Sequence, residues 1–188
     1  LIYQQYPNFE IIIVSRDITD ALSYYIASEI AQNSSIKHLS LEFGSYHYLG
    51  KKQALHQGIM HAQYEYIVTI DGDSYPESEY WHQSISHSIL PTTDIVIGSS
   101  PYIKQHGWLN KWIRYDAMQV GLQYLSHAAI GKPYMAVGRN MAFRKTLWTA
   151  DYLAKYENLP YGDDDTLVQF YQNKSININI DTKVFSYP

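Results

Sequence analysis

The sequence lacks cysteine altogether and has no excess of basic residues. Without cysteine there can be no disulfide bond and no thiolate chemistry, which is compatible with a reducing compartment. The 14 basic and 18 acidic side chains give a formal net charge of −4, which argues against a general nucleic-acid binder. No run approaches the roughly 20 apolar residues that a membrane-spanning helix requires, and no signal peptide is visible.

What the chain does have is enough apolar sequence for a core. Its 188 residues are 46% hydrophobic, which suits a single globular domain covering residues 1–188. Residues 1–5 read like the end of a helix and carry no initiating Met, so we expect a soluble fragment of a longer protein.

Apolar periodicity predicts an α/β fold. Short β-branched runs alternate with helical stripes over residues 10–98, which favours parallel strands joined by crossover helices. Predicted strands cover 10–14, 37–43, 66–70, 94–98, 138–143 and 176–180, and predicted helices cover 21–32, 51–63, 78–90, 108–129, 146–156 and 165–173. We therefore expect a Rossmann-like, mostly parallel sheet flanked by helices. Ligands of such sheets bind beyond the carboxyl ends of the strands, where Asp17, Asp71 and Asp73 lie.

The first acidic motif is Asp71-Gly72-Asp73, directly after a predicted buried strand. Two carboxylates this close repel each other unless a positive group lies beside them. Their oxygens suit a hard cation such as Mg²⁺ or Mn²⁺ shared with substrate phosphates. The alternative is a turn in which the aspartates bond their own backbone.

A second acidic motif, Asp163-Asp164-Asp165, follows Gly162. Acidic residues in the first turn of a helix oppose the positive end of its dipole, so these residues predict a helix start. One aspartate can cap the helix while its neighbour projects into a cleft. The motif therefore supplies a candidate general base.

The two acidic motifs together are compatible with two kinds of enzyme. In one, Asp73 holds a metal on a nucleotide diphosphate and an aspartate of 163–165 is the base. In the other, Asp71 attacks a phosphate, as in haloacid-dehalogenase phosphatases, which also pair early and late acids. The second reading fits less well because the residues before Gly162 do not read as a strand and several elements precede Asp71.

Five segments in order resemble the family-two glycosyltransferases, which have a nucleotide-diphospho-sugar transferase fold of type A. The segments are QYPNFEIIIV (5–14), GKKQAL (50–55), YIVTIDGDSYP (66–76), GRNMAFRK (138–145) and GDDD (162–165). GKPYM at 131–135 further resembles bacterial, membrane-attached members. The resemblance covers nearly the whole chain, with the family's first strand missing.

The resemblance implies a role for each matching residue. Asp73 would hold the Mn²⁺ or Mg²⁺ that bridges the diphosphate, and Asp71 would contact the nucleotide ribose or the metal. Asp164 aligns best with the family's base, with Asp163 before it. The remaining cofactor-binding candidates are Lys51 or Lys52, facing the nucleotide, and Arg139 and Asn140, where donor sugar and acceptor meet.

One departure concerns the acid that the family usually has after its second strand. Ser15-Arg16-Asp17 stands there instead, and Asp17 is the candidate to take over that contact.

The resemblance also implies substrates and a location. The expected activity is inverting transfer of a sugar, hexosyl or N-acetylhexosaminyl, from a nucleotide-sugar donor to a glycan or lipid-linked acceptor in cell-surface polysaccharide or glycolipid synthesis. The full-length protein would lie on the cytoplasmic side of the cell membrane, which it would contact through segments outside this chain. A nucleotidyltransferase of related architecture and a non-catalytic nucleotide-sugar-binding domain remain as alternatives.

Overall fold

The computed structural model describes residues 1–16, 20–41, 51–159 and 161–186. Their elements run in the order β1 (Ile11–Arg16), α1 (Asp20–Gln32), β2 (Ile36–Leu41), α2 (Lys52–His61), β3 (Tyr66–Thr69), β4 (Ser74–Pro76), α3 (Trp81–His87), β5 (Ile95–Ser99), α4 (Trp108–Ala129), β6 (Met141–Arg144), α5 (Ala150–Lys155), α6 (Asp163–Phe170) and β7 (Ile176–Ser186). A 3₁₀ turn, Lys145–Leu147, lies between β6 and α5. The predicted strand–helix alternation is confirmed.

The strands form two sheets. β1 and β2 pair in parallel, with Ile11 opposite Ile36. The larger sheet has the order β3-β6-β5-β7-β4. Here β6 runs antiparallel to both β3 and β5, while β5 and β7 pair in parallel. The pairing is therefore mixed rather than mostly parallel, because β6 lies reversed between two strands that share one direction.

The core lies on both faces of the larger sheet because side chains alternate along each strand. Ile95 and Ile97 of β5 belong to a cluster with Phe143 and residues of α4, α5 and α6. Val96, between them, packs in a second cluster with Trp81 of α3. Helices thus cover the sheet on both sides.

Two of the differences from the sequence-based prediction have a clear local cause. β4 was not predicted; it pairs antiparallel with residues 184–186, where the 11-residue β7 extends past its pairing with β5. The predicted helix over 146–156 is shorter, since α5 begins after Thr149. The Thr149 side chain accepts a hydrogen bond from the Tyr152 amide and so caps the helix at that point.

Candidate functional site

The Asp71-Gly72-Asp73 motif forms a turn between β3 and β4. The Ser74 amide donates to the Asp71 carbonyl oxygen at 3.0 Å, so the backbone closes the turn. Asp73 is exposed, and its Oδ1 accepts a hydrogen bond from the Ser74 hydroxyl at 3.2 Å. The carboxylates are therefore not needed to close the turn, and both can serve a ligand.

Lys51, immediately before α2, supplies positive charge beside this turn. Its Nζ lies 3.4 Å from Asp71 Oδ1, and both side chains are substantially exposed. An exposed pair of this kind contributes little to stability. The Lys51 ammonium can consequently leave Asp71 and bind an incoming anion with little loss of stability.

The second acidic motif forms the first turn of α6, so a helix does begin at this motif, but its N-cap is Gly162 and no aspartate side chain caps it. Gly162, at the helix N-cap, has a left-handed backbone with φ of +79°, which favours glycine. Asp163, Asp164 and Asp165 all lie at the positive end of the helix dipole. Because successive helical residues point in different directions, the three carboxylates have different surroundings.

Asp163 points into the protein. Its side chain is 2% exposed, and its Oδ1 lies 3.5 Å from Nζ of Lys52, itself 1% exposed. Burial raises the pKa of Asp163, and the Lys52 ammonium opposes that rise. The Tyr152 hydroxyl donates to the Asp163 carbonyl oxygen at 3.0 Å, so the backbone here is held as well.

Asp164 and Asp165 hold the segment that precedes β6. Asp164 Oδ2 accepts a hydrogen bond from the Gly138 amide at 2.6 Å, and Asp165 Oδ1 accepts one from the Ala136 amide at 3.2 Å. A Cβ on residue 138 would lie only 3.0 Å from Asp164 Oδ2, so glycine permits the close approach. Burial, followed by the neighbouring Asp164 charge, raises the pKa of Asp165.

Asn140 and Arg139 are held by protein contacts. Asn140 is 2% exposed; its Nδ2 donates to the Ser99 carbonyl oxygen at 2.7 Å and its Oδ1 accepts from Trp81 Nε1 at 3.0 Å. Arg139 Nε donates to the Ser100 hydroxyl at 2.5 Å, and its guanidinium lies over the Tyr102 ring. Neither residue lines the cleft described next, so their predicted contact with the donor remains a prediction.

A cleft of about 920 Å³ joins the two acidic motifs. Its acidic end is formed by Asp71, Asp163 and Asp164, with Lys51 and Gly138 beside them. The rest is lined by β1, β3, α2 and α3. Every residue of β3 lines the cleft, although alternate side chains point to opposite faces, so the cleft runs along the strand's edge.

The structure thus brings Lys51, Asp71, Asp163 and Asp164 to one cleft, as the sequence predicts for a shared site. Asp73 is on the adjoining turn but does not line the cleft. Asp17 lies outside the described residues. In the described part of the chain, no group of three or more His, Cys, Asp or Glu side chains could hold a metal ion by itself.

The burial of Lys52 was not predicted. Lys51 and Lys52 were equivalent candidates for the nucleotide, but only Lys51 is substantially exposed. A signal was present, because adjacent helical residues point about 100° apart and only one can face a given cleft. The partner of the buried lysine could not be read from the sequence.

Comparison with known proteins identifies one family. The family described as Glycosyl transferase family 2 matches residues 1–148, more than half of the chain. No curated protein sequence matches the chain.

Solved structures show the same fold. S. aureus TarS residues 1–349 in complex with UDP-GlcNAc is similar with a TM-score of 0.64 and 17% identity over 99% of this chain and 52% of that one. A second structure of TarS residues 1–349 has a TM-score of 0.63 and 16% identity, and the match covers 98% of this chain and 53% of that one. The structure of a mycobacterial protein has a TM-score of 0.51 and 13% identity, and the match covers 95% of this chain and 57% of that one. The chain spans about half the length of these structures, and the predicted fold class is confirmed.

Proposed function

The chain belongs to glycosyl transferase family 2, and from this membership we propose that it transfers a sugar from a nucleotide-diphospho-sugar to a hydroxyl acceptor, with inversion at the anomeric carbon. The observation that carries the proposal is the shared cleft, into which Asp71 and Asp164 both open. One motif can hold the donor while the other takes the acceptor proton.

The donor end fits a divalent cation such as Mn²⁺ or Mg²⁺. Asp71 and Asp73 offer carboxylate oxygens one residue apart on an accessible turn, and donor phosphate oxygens can complete the coordination. Such an ion supplies charge stabilisation for the departing diphosphate. Lys51, which lines the same end of the cleft, would place an ammonium near those phosphates.

The acceptor end is assigned to Asp164. As the acceptor oxygen bonds to the anomeric carbon, the bond to the diphosphate oxygen breaks, and Asp164 takes the hydroxyl proton. The Gly138 amide occupies one lone pair of Asp164 Oδ2 and orients the carboxylate, which keeps other lone pairs to accept the proton. General-base catalysis of this kind contributes on the order of 10²- to 10⁴-fold.

The similarity to TarS in complex with UDP-GlcNAc supports a nucleotide-sugar donor here, and we assign a hexosyl or N-acetylhexosaminyl group. The acceptor we propose is a glycan or lipid-linked glycan in cell-surface polysaccharide or glycolipid synthesis, on the cytoplasmic side of the membrane. Among the described helices none is long and apolar enough to cross a bilayer.

Two substitutions test the proposal separately. Donor binding is measured by calorimetry with UDP-GlcNAc and other nucleotide sugars in Mn²⁺, and transfer by release of the nucleoside diphosphate. Asp73→Asn should weaken metal-dependent donor binding by at least tenfold. Asp164→Asn should leave donor binding within about threefold and lower turnover by about 10²- to 10⁴-fold.

The matched control is Asp116→Asn, which removes an equal charge from an exposed position on α4. It should change neither readout. Full turnover by Asp164→Asn would contradict the base assignment. Donor binding without transfer would favour a non-catalytic nucleotide-sugar-binding domain, and release of inorganic phosphate would favour the phosphatase.

A further inference from the structure

The two lysines at the start of α2 contact different acidic motifs. Lys51 reaches Asp71, at 3.4 Å, and the adjacent Lys52 reaches Asp163, at 3.5 Å. Lys51 is half exposed, whereas Lys52 is buried on the protein side of the helix. One helix start therefore connects both ends of the acidic site.

The Lys52 ammonium also holds the chain that leads into α6. It donates to the carbonyl oxygens of Tyr156, at 2.5 Å, and Leu159, at 3.0 Å. An ammonium has three N–H donors, and Lys52 uses them on these two carbonyls while its third oxygen neighbour, Asp163 Oδ1, is an ion-pair partner at 3.5 Å. Within the described residues neither carboxylate oxygen of Asp163 accepts a hydrogen bond, so the Lys52 charge is what compensates this buried carboxylate. All three oxygens belong to the segment between α5 and the first turn of α6.

Asp163 is covalently joined to Asp164, whose Oδ2 accepts the Gly138 amide at 2.6 Å. We propose that Lys52 is a positioning residue: it binds Asp163 and the preceding carbonyls, fixes the start of α6, and so holds the Asp164 carboxylate at the cleft. In this assignment Asp163 is the internal partner of Lys52, and Asp164 alone faces the acceptor. The catalytic consequence rests on the proposed function, but the positioning itself does not.

The test measures the hydrogen bond that Asp164 accepts. Lys52→Met keeps the length of the side chain and removes its charge. Hydrogen exchange at the Gly138 amide, followed by NMR, should accelerate at least tenfold. Lys51→Met is the matched control because it removes the adjacent ammonium, and it should leave that amide within twofold of wild type. The Gly98 amide, bonded to the Asn140 carbonyl oxygen at 2.9 Å, reports any general loosening.

A double variant separates positioning from stability. Lys52→Met with Asp163→Leu removes both buried charges, so neither charge is left uncompensated and the thermal midpoint should rise above that of Lys52→Met. Exchange at Gly138 should stay fast, since the Tyr156 and Leu159 carbonyls still lack their donor. Should Lys52→Met fail to fold, the double variant decides. If the double variant recovered slow exchange at the Gly138 amide together with its thermal midpoint, the proposal would be overturned. Unchanged Gly138 exchange in any folded variant that lacks Lys52 would overturn it as well.

Kinetics add a readout specific to catalysis. With UDP-GlcNAc as the first donor tried, the folded double variant should lose at least tenfold in kcat while donor Kd stays within threefold. Normal kcat with fast Gly138 exchange would contradict the catalytic consequence. Absence of donor binding by the wild-type protein would instead contradict the proposed function, and the amide measurements would still decide the positioning role.

Discussion

Gly98, near the end of β5, is predicted to tolerate no side chain. A Cβ built on it would lie 2.5 Å from Asn140 Cγ and 2.8 Å from the Asn140 carbonyl oxygen, with the side-chain amide nitrogen closer still. Ordinary contacts begin near 3.4 Å. Gly98→Ala therefore forces apart the pairing of β5 and β6 at the segment that presents the Gly138 amide to Asp164.

The cost can be worked from the contacts. Asn140 cannot turn away, because its side chain bonds the Ser99 carbonyl oxygen and Trp81 Nε1, both in the interior. Overpacking of a rigid site costs about 1–3 kcal/mol. Loss of one hydrogen bond, from the Gly98 amide to the Asn140 oxygen, adds about 1 kcal/mol. We expect Gly98→Ala to lower the free energy of unfolding by about 2–4 kcal/mol.

Urea denaturation followed by tryptophan fluorescence measures this loss, and Gly121→Ala is the control. Gly121 lies inside α4 and a Cβ there would meet nothing within 4 Å, so alanine should stabilise the helix by up to about 1 kcal/mol. In an Asn140→Ala background Gly98→Ala should lower the free energy of unfolding by less, because the side-chain contacts are gone. Some loss should remain, because the carbonyl oxygen of residue 140 is still close. A Gly98→Ala protein within 0.5 kcal/mol of wild type would refute this reasoning, on the roughly 0.5 kcal/mol scale of ordinary surface substitutions.

Two further predictions concern pH and backbone strain. Burial lowers the pKa of His82 to about 4 from an ordinary value of 6.5, so the unfolded chain binds the proton more tightly. The free energy of unfolding should therefore fall as the pH drops below 6.5, by up to about 2 kcal/mol between pH 7 and 5. Urea denaturation at the two pH values should show a smaller fall in His82→Gln. An equal fall in that variant would mean that another group causes the effect. Gly162→Ala should cost about 1–2 kcal/mol because the left-handed φ disfavours a Cβ even where space is open. Gly162→Asn should cost less than Gly162→Ala, and the reverse order in thermal unfolding would contradict a backbone cause.

Periodicity predicted the elements where one pattern dominates the local sequence. The helix predicted over 108–129 coincides with α4, Trp108–Ala129. α6 begins two residues earlier than predicted, because Asp163 and Asp164 favour the positive end of the dipole. β4 was not predicted because its three residues, with Tyr75 exposed, show no apolar periodicity. These residues form a strand because they pair with β7.

The sequence indicated which acidic residues could share a site, but not which of them is buried. One motif was placed after a predicted strand and the other at a predicted helix start, and Asp71 and Asp164 do line one cleft. Which aspartate of three adjacent ones is buried depends on the direction of α6 relative to α2, which only tertiary packing sets. The sequence therefore could not show that Asp163 pairs with Lys52 while Asp164 stays half-buried at the cleft.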